Sequence, residues 1–102
     1  MDNNNFIERE FVGNTPERRN FPVLLRLGQP RKREKDWACS VEVRGLGGDP
    51  KARDIAGVDS LQALMLALKV ARCHVEVYLS QGGALAWPNE PGQPMSIEQI
   101  FS

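Results

Sequence analysis

The chain is poor in the residue types on which most small-protein chemistry depends. It has one histidine, His74, and two cysteines, Cys39 and Cys73, in 102 residues. One histidine and two distant cysteines give no ligand pair at the spacing of a zinc site, so no metal is expected. Each cysteine sits inside an apolar pattern, one strand-like and one helix-like. Both therefore read as small buried hydrophobes in a reducing compartment, with a disulfide or a reactive thiol as the alternative. The longest apolar run, Ala63–Leu68, is six residues, far short of the roughly 18 that a membrane helix needs. Met1–Glu8 shows no basic segment followed by an apolar run, so a secretory signal is not expected and the cytoplasm is the expected location. Net charge is also missing. Thirteen basic and thirteen acidic residues cancel, and the pI is near 6.6. The chain thus lacks the basic excess that supplies most of the affinity of a dedicated nucleic-acid binder. No glycine-rich phosphate loop is present. Gly45-Leu46-Gly47-Gly48 has neither the following helix nor the lysine of a P-loop, and Gly82-Gly83 follows a helical pattern instead of opening one.

What is present is ordinary globular material. Hydrophobic residues make up 41% and charged residues 25%, which fits one folded domain over residues 1–102. A chain of this length buries roughly two-thirds of its unfolded surface, enough for one core without staples. Phe6–Val12 alternates loosely, with Glu8 and Glu10 on one side, and reads as a first strand at a sheet edge. Val23–Gly28 reads as a second strand. Pro30 and the charged run Arg31–Lys35 make Gln29–Asp36 a turn or hairpin tip. Trp37–Arg44 alternates most cleanly. Trp37, Cys39, Val41 and Val43 leave on one face, and Ala38, Ser40, Glu42 and Arg44 on the other. Gly45–Pro50 is turn chemistry, and Ala52–Val58 is a weaker strand around Ile55.

A helix follows from Leu61 to about Ser80. Asp59 is placed to cap it, Gln62 stands three residues on as in a capping box, and Gly82-Gly83 supplies the left-handed stop. Ala84–Trp87 reads as a short returning strand. Ile97, Ile100 and Phe101 have the spacing of one helical turn docked on the domain. On the long helix, Leu61, Leu64, Met65, Leu68, Ala71, Val75, Tyr78 and Leu79 form one apolar sector, expected to face the sheet. A second stripe, Leu66, Val70, Cys73 and Val77, lies nearly opposite. Leaving its larger members in water forfeits roughly 1.5–3 kcal/mol of burial for each. Either the C-terminal Ile97, Ile100 and Phe101 fold over this stripe, or it is a surface for self-association or for another protein.

Catalysis has little to build on. Cys73 and His74 are neighbours, but adjacent helix residues point about 100° apart and cannot form a dyad. His74 reads as a residue at the flank of the core. Glu8 and Glu10 read as exposed edge charges. No catalytic residue or cofactor is expected. From Thr15 to Asp54 there are ten basic and six acidic residues. Arg31, Lys32, Arg33 and Lys35 beside Trp37 therefore form the one candidate nucleic-acid contact, through phosphate and base stacking. Glu34 and Asp36 dilute that run, and Trp37 is in register with the core face.

The stretches Leu27–Pro30 (LGQP), Asp36–Cys39 (DWAC), Gly57–Leu68 (GVDSLQALMLAL) and Gly82–Pro88 (GGALAWP) resemble a family of small bacterial proteins of unknown function, over roughly residues 23–88. The resemblance implies a bacterial, stand-alone, single-domain protein. It brings no catalytic residue, cofactor or substrate. The expected fold is α+β, a curved antiparallel sheet of four to five strands packed on one long helix in the order ββββαβ, with a short C-terminal helix. The expected core is Val23, Leu25, Leu27, Trp37, Cys39, Val41, Val43, Leu61, Leu64, Leu68, Val75 and Leu85. The expected function is a non-catalytic interaction module, acting as a homodimer or by binding another protein, an immunity-type antitoxin being one form. Two other classes stay open. One is a ligand-binding domain or small enzyme with a pocket between sheet and helix, lined by Trp37, His74, Tyr78 and Trp87. The other is a nucleic-acid-binding accessory protein.

Overall fold

Five strands precede the long helix: β1 (Phe6–Asn14), β2 (Phe21–Gly28), β3 (Arg31–Lys32), β4 (Trp37–Arg44) and β5 (Lys51–Gly57). Then come α1 (Ser60–Ser80), β6 (Ala84–Ala86) and α2 (Ile97–Ile100). The computed structural model describes residues 6–47 and 51–101. The last three residues of the turn expected over Gly45–Pro50 lie outside the described residues. Every strand pairing is antiparallel. Trp37 and Ala38 of β4 pair with both β3 and β5, and Val41–Val43 pair with both β2 and β5. So β2 and β3 share one flank of β4 while β5 takes the other, and β1 and β6 continue beyond β2. The α+β architecture is the one expected. The two-residue β3, inside the region read as a turn, raises the strand count. β1 remains an edge only up to Phe11, because β6 pairs with Val12–Asn14.

The pairing register assigns the two faces. Glu8, Arg26 and Glu42 lie opposite one another across β1, β2 and β4. Arg26 Nε reaches Glu8 at 2.6 Å, its Nη1 lies 3.5 Å from Glu42, and its guanidinium sits over the Phe6 ring. This row forms the wet face, where opposite charges pair across strands. The other face carries Phe11, Val23, Leu25, Leu27, Cys39 and Val41, all buried in one core shared with α1 and Ile100.

Both ends of α1 are fixed by local chemistry. Asp59 is extended (φ −144°), and its carboxylate accepts the Gln62 N–H at 2.8 Å. The Gln62 side chain accepts the Val58 N–H at 2.7 Å, so the reciprocal bond of the box closes one residue early. At the far end Gly82 takes φ +93°. Gly82 N–H donates to Leu79 and Gly83 N–H to Tyr78, the paired bonds of a Schellman stop.

The face that α1 presents to the sheet takes Ala71, Val75 and Tyr78 from the expected sector but leaves that sector's leucines off centre. Ala63, Ala67, Ala71, Val75 and Tyr78 are its buried residues, and the three alanines are fully inaccessible. Small side chains let the helix axis come close to the strands. At Gly57 a Cβ would stand 2.4 Å from the Ala63 backbone nitrogen, so only glycine permits this approach. On a 3.6-residue helix the centre of the alanine seam lies about 80° from the first apolar stripe and about 100° from the second. The two stripes are therefore the two shoulders of one wide face. Leu61 and Leu68, expected in the core, are exposed for this reason. Trp37, Val43 and Leu64 pack on the core only partly buried. Phe11, Phe21, Ala63, Ala67 and Ile100 are buried core that the sequence reading omitted.

The C-terminal helix forms as expected, with Ser96 and Gln99 bonded reciprocally as a capping box. Its position decides against one of the two alternatives for the second stripe, cover by the C-terminal segment. Arg9 Nη1 donates to the Ile100 carbonyl at 2.9 Å, and Ile100 and Phe101 share a depression with Ile7 and Leu68. α2 thus docks on the first shoulder, beside β1.

Candidate functional site

Two surfaces are set by this geometry. The first is the outer shoulder of α1. Val58, Leu61 and Met65 are 78%, 62% and 59% exposed, and Leu68 and Ile7 continue the patch toward β1. Val58 precedes the cap, and Leu61, Met65 and Leu68 follow at helical spacing, so one side of α1 is a line of large apolar groups in water. Lys69, Arg72 and Glu76 border it on the helix. Arg72 lies 3.6 Å from Glu76 and 3.8 Å from Glu98 of α2.

The second surface is a cleft of about 840 Å³ between α1 and the β4–β5 hairpin. Three of the four stripe residues singled out in the sequence, Val70, Cys73 and Val77, line it, facing Val41, Val43, Leu46, Ala52 and Arg53. Leu66 is half-buried and lies outside the cleft. Val70 packs on the core, Cys73 is exposed, and Val77 is half exposed. The stripe is therefore a cleft wall, covered in part by the strands. Of the residues expected to line a sheet–helix pocket, His74 and Tyr78 do so. Trp37 instead lies under Lys32, with Nζ 5.6 Å from its ring centroid. Trp87 stacks on Phe11 at 5.7 Å and lies under the Arg9 guanidinium.

Tyr78 closes the inner end of the cleft. Its hydroxyl donates to the Ala84 carbonyl at 2.9 Å and stands 3.1 Å from that of Asn14. It thereby ties α1 to β1 and β6, and burial pushes its phenol above the usual range. Arg53 was missed in the sequence. It pairs with Val41 in register, so its side chain leaves the edge strand on the helix side. The signal was available, because Ile55 is inward and Arg53 is two residues before it.

The thiols are separate. Cys39 is buried and Cys73 exposed, both free. Cys39 Sγ donates to the Gly28 carbonyl at 3.2 Å, and burial raises its pKa. The basic turn is largely engaged within the chain. Arg31 Nη2 meets Asp54 at 2.5 Å, and Ser40 also donates to that carboxylate at 2.9 Å. Arg33 and Asp36 form a two-pronged pair at 2.7 Å, which holds the Asp36 carboxyl below its ordinary range. Lys35 is exposed. Among the described residues no cluster of three His, Cys, Asp or Glu side chains is arranged to hold a metal, and no helix is long and apolar enough to cross a membrane.

Neither a curated protein nor a solved structure shows significant similarity to this chain. One family model does match, over residues 7–96, which takes in β2–β6, all of β1 but Phe6, α1 and the whole cleft lining. The chain belongs to the family of the domain of unknown function DUF6968.

Proposed function

We propose that the protein is a non-catalytic interaction module that works as a homodimer through the outer shoulder of α1. The observation that carries this reading is the line Val58, Leu61, Met65 and Leu68, left in water along one flank of a helix whose other flank is partly roofed by the strands. Monomeric proteins rarely leave so contiguous an apolar stretch uncovered. The occupant is a second copy. The chain has no net charge, so self-association meets no overall repulsion. The rim carries both signs, Lys69 and Arg72 beside Glu76 and Glu98. In a two-fold dimer the same apolar patch is buried on both copies. Two cysteines that are not joined to one another fit a cytoplasmic setting, and the bacterial origin implied by the sequence resemblance is part of the same reading.

Sedimentation equilibrium tests it. The parent chain is expected to dimerise at about 10 μM, within the range of a modest specific interface. The pair Leu61→Lys and Met65→Lys should give a folded monomer, since both side chains already face water. A parent chain still monomeric at about 100 μM ends the homodimer. The face would then pass to a different partner, a toxin capped by an immunity-type protein being one such case.

A further inference from the structure

We propose that the cleft between α1 and the β4–β5 hairpin binds an aliphatic carboxylate, with Arg53 holding the carboxylate and the Val43, Val70 and Val77 walls holding the chain. Four observations converge. The cleft encloses about 840 Å³, within the roughly 300–1,000 Å³ of small-molecule sites. Half of its lining residues are aliphatic, Val41, Val43, Leu46, Ala52, Val70 and Val77. Its charged and titratable lining groups are Arg53, His74, Cys73 and Tyr78, with no carboxylate among them. Finally, Arg53 is unusual among the sheet arginines. Arg26, Arg31 and Arg44 each meet a carboxylate, and Arg9 meets a carbonyl and a ring. Among the described residues no hydrogen bond, ion pair or ring contact joins Arg53 to a partner, although its register points it toward the helix side.

An inward-facing charge on an edge strand also discourages strand-to-strand aggregation. That role accounts for the arginine but not for the cavity beside it, and it predicts a different result on mutation. The ligand length follows from the wall. Val70 to Gln81 spans about 16 Å of helix at 1.5 Å per residue. That suits an extended chain of about ten to twelve carbons. The carboxylate end rests at Arg53.

The test uses the full chain with sodium decanoate below its micelle concentration, followed by calorimetry and by amide NMR shifts. Decanol and decyltrimethylammonium serve as chain-matched controls. Shifts are expected at Val43, Arg53, Val70 and Val77. Affinity should rise about twofold for each added methylene from hexanoate to decanoate, about half the full transfer effect because the cleft stays open to water. Arg53→Gln should weaken decanoate by about fivefold through loss of a charge-assisted bond and leave decanol unchanged. Val77→Asp, at a half-exposed position, should abolish decanoate binding with the fold intact. Shifts located elsewhere, equal binding of decanoate and decyltrimethylammonium, or an Arg53→Gln variant that binds decanoate as the parent does would each overturn the proposal. If Arg53→Gln instead makes the protein aggregate without altering decanoate affinity, the residue is an edge guard and the assignment fails.

Discussion

The alanine seam makes a prediction that reverses ordinary expectation about which residues hold a helix down. Leu61 is 62% exposed, whereas Ala67 is fully inaccessible. Fully burying a leucine stabilises by about 1.5–3 kcal/mol, so a leucine less than half buried contributes about 1 kcal/mol. Leu61→Ala should therefore lower Tm by about 5 °C, at 4–8 °C per kcal/mol for a domain of this size. Ala67→Leu adds three carbons to a position with no free space. Overpacking a tight core costs typically about 1–3 kcal/mol. The upper end applies here, since α1 cannot lift at Ala67 without parting Ala63 and Ala71 from the strands. The expected loss is roughly 10–20 °C. Thermal and urea unfolding by far-UV circular dichroism measures both, at about 1 μM so that association adds nothing to stability. If Leu61→Ala proves the more damaging substitution, the leucine sector faces the sheet and the seam is wrong.

Two further outcomes follow from single groups. Tyr78→Phe removes the donor shared by the Ala84 and Asn14 carbonyls and should cost about 1 kcal/mol in urea unfolding. Burial raises the Tyr78 phenol above its ordinary 10.0, so the native state keeps a proton that the unfolded chain releases. The Tyr78 share of stability should be level below about pH 10 and fall as pH rises through the raised native value; Tyr78→Phe should lose that share and keep only the earlier fall, from about pH 9, that the raised Cys39 thiol contributes. With one tyrosine in the chain, absorbance at high pH reads this ionisation directly. For the thiols, Ellman's reagent should modify one group per chain at once, Cys73, and reach Cys39 only on unfolding. Two fast thiols would contradict the burial of Cys39 in β4.

Alternation made most of the sheet legible. Trp37–Arg44 matches β4 at both ends because successive side chains in that segment differ sharply in polarity, and period two leaves little room for error. β1 and β2 were read too short by two residues each. Gly13 and Asn14 carry no apolar signal, and Phe21 stands beside Pro22, which reads as a loop. β3 was missed because Arg31 and Lys32 pair with Trp37 and Ala38 through backbone groups, to which a charged run gives no clue. The ends of α1 were legible because caps are chemical. Asp59, Gln62, Gly82 and Gly83 each do what their residue type allows.

The orientation of α1 was only partly legible from hydrophobicity: Ala71, Val75 and Tyr78 of the expected sector do face inward, but a hydrophobic periodicity weights leucine above alanine and so centres the inward face on the larger groups. The sheet selects by size instead. Where the axis must come close, alanine is inward and leucine is displaced to a shoulder. The signal for this was Gly57, Ala63, Ala67 and Ala71, small residues at helical spacing preceded by a glycine whose missing side chain leaves room for the Ala63 backbone. The same geometry explains why two apolar stripes lie nearly opposite each other on one helix. A seam of small side chains brings the wide residues on both flanks to the water line at once. One flank is partly roofed by the β4–β5 hairpin and becomes a cleft. The other is met by α2 only near Leu68 and stays open along Leu61 and Met65. Close packing at the centre therefore creates both surfaces, and a helix with leucine in place of Ala67 would stand farther off and alter them together.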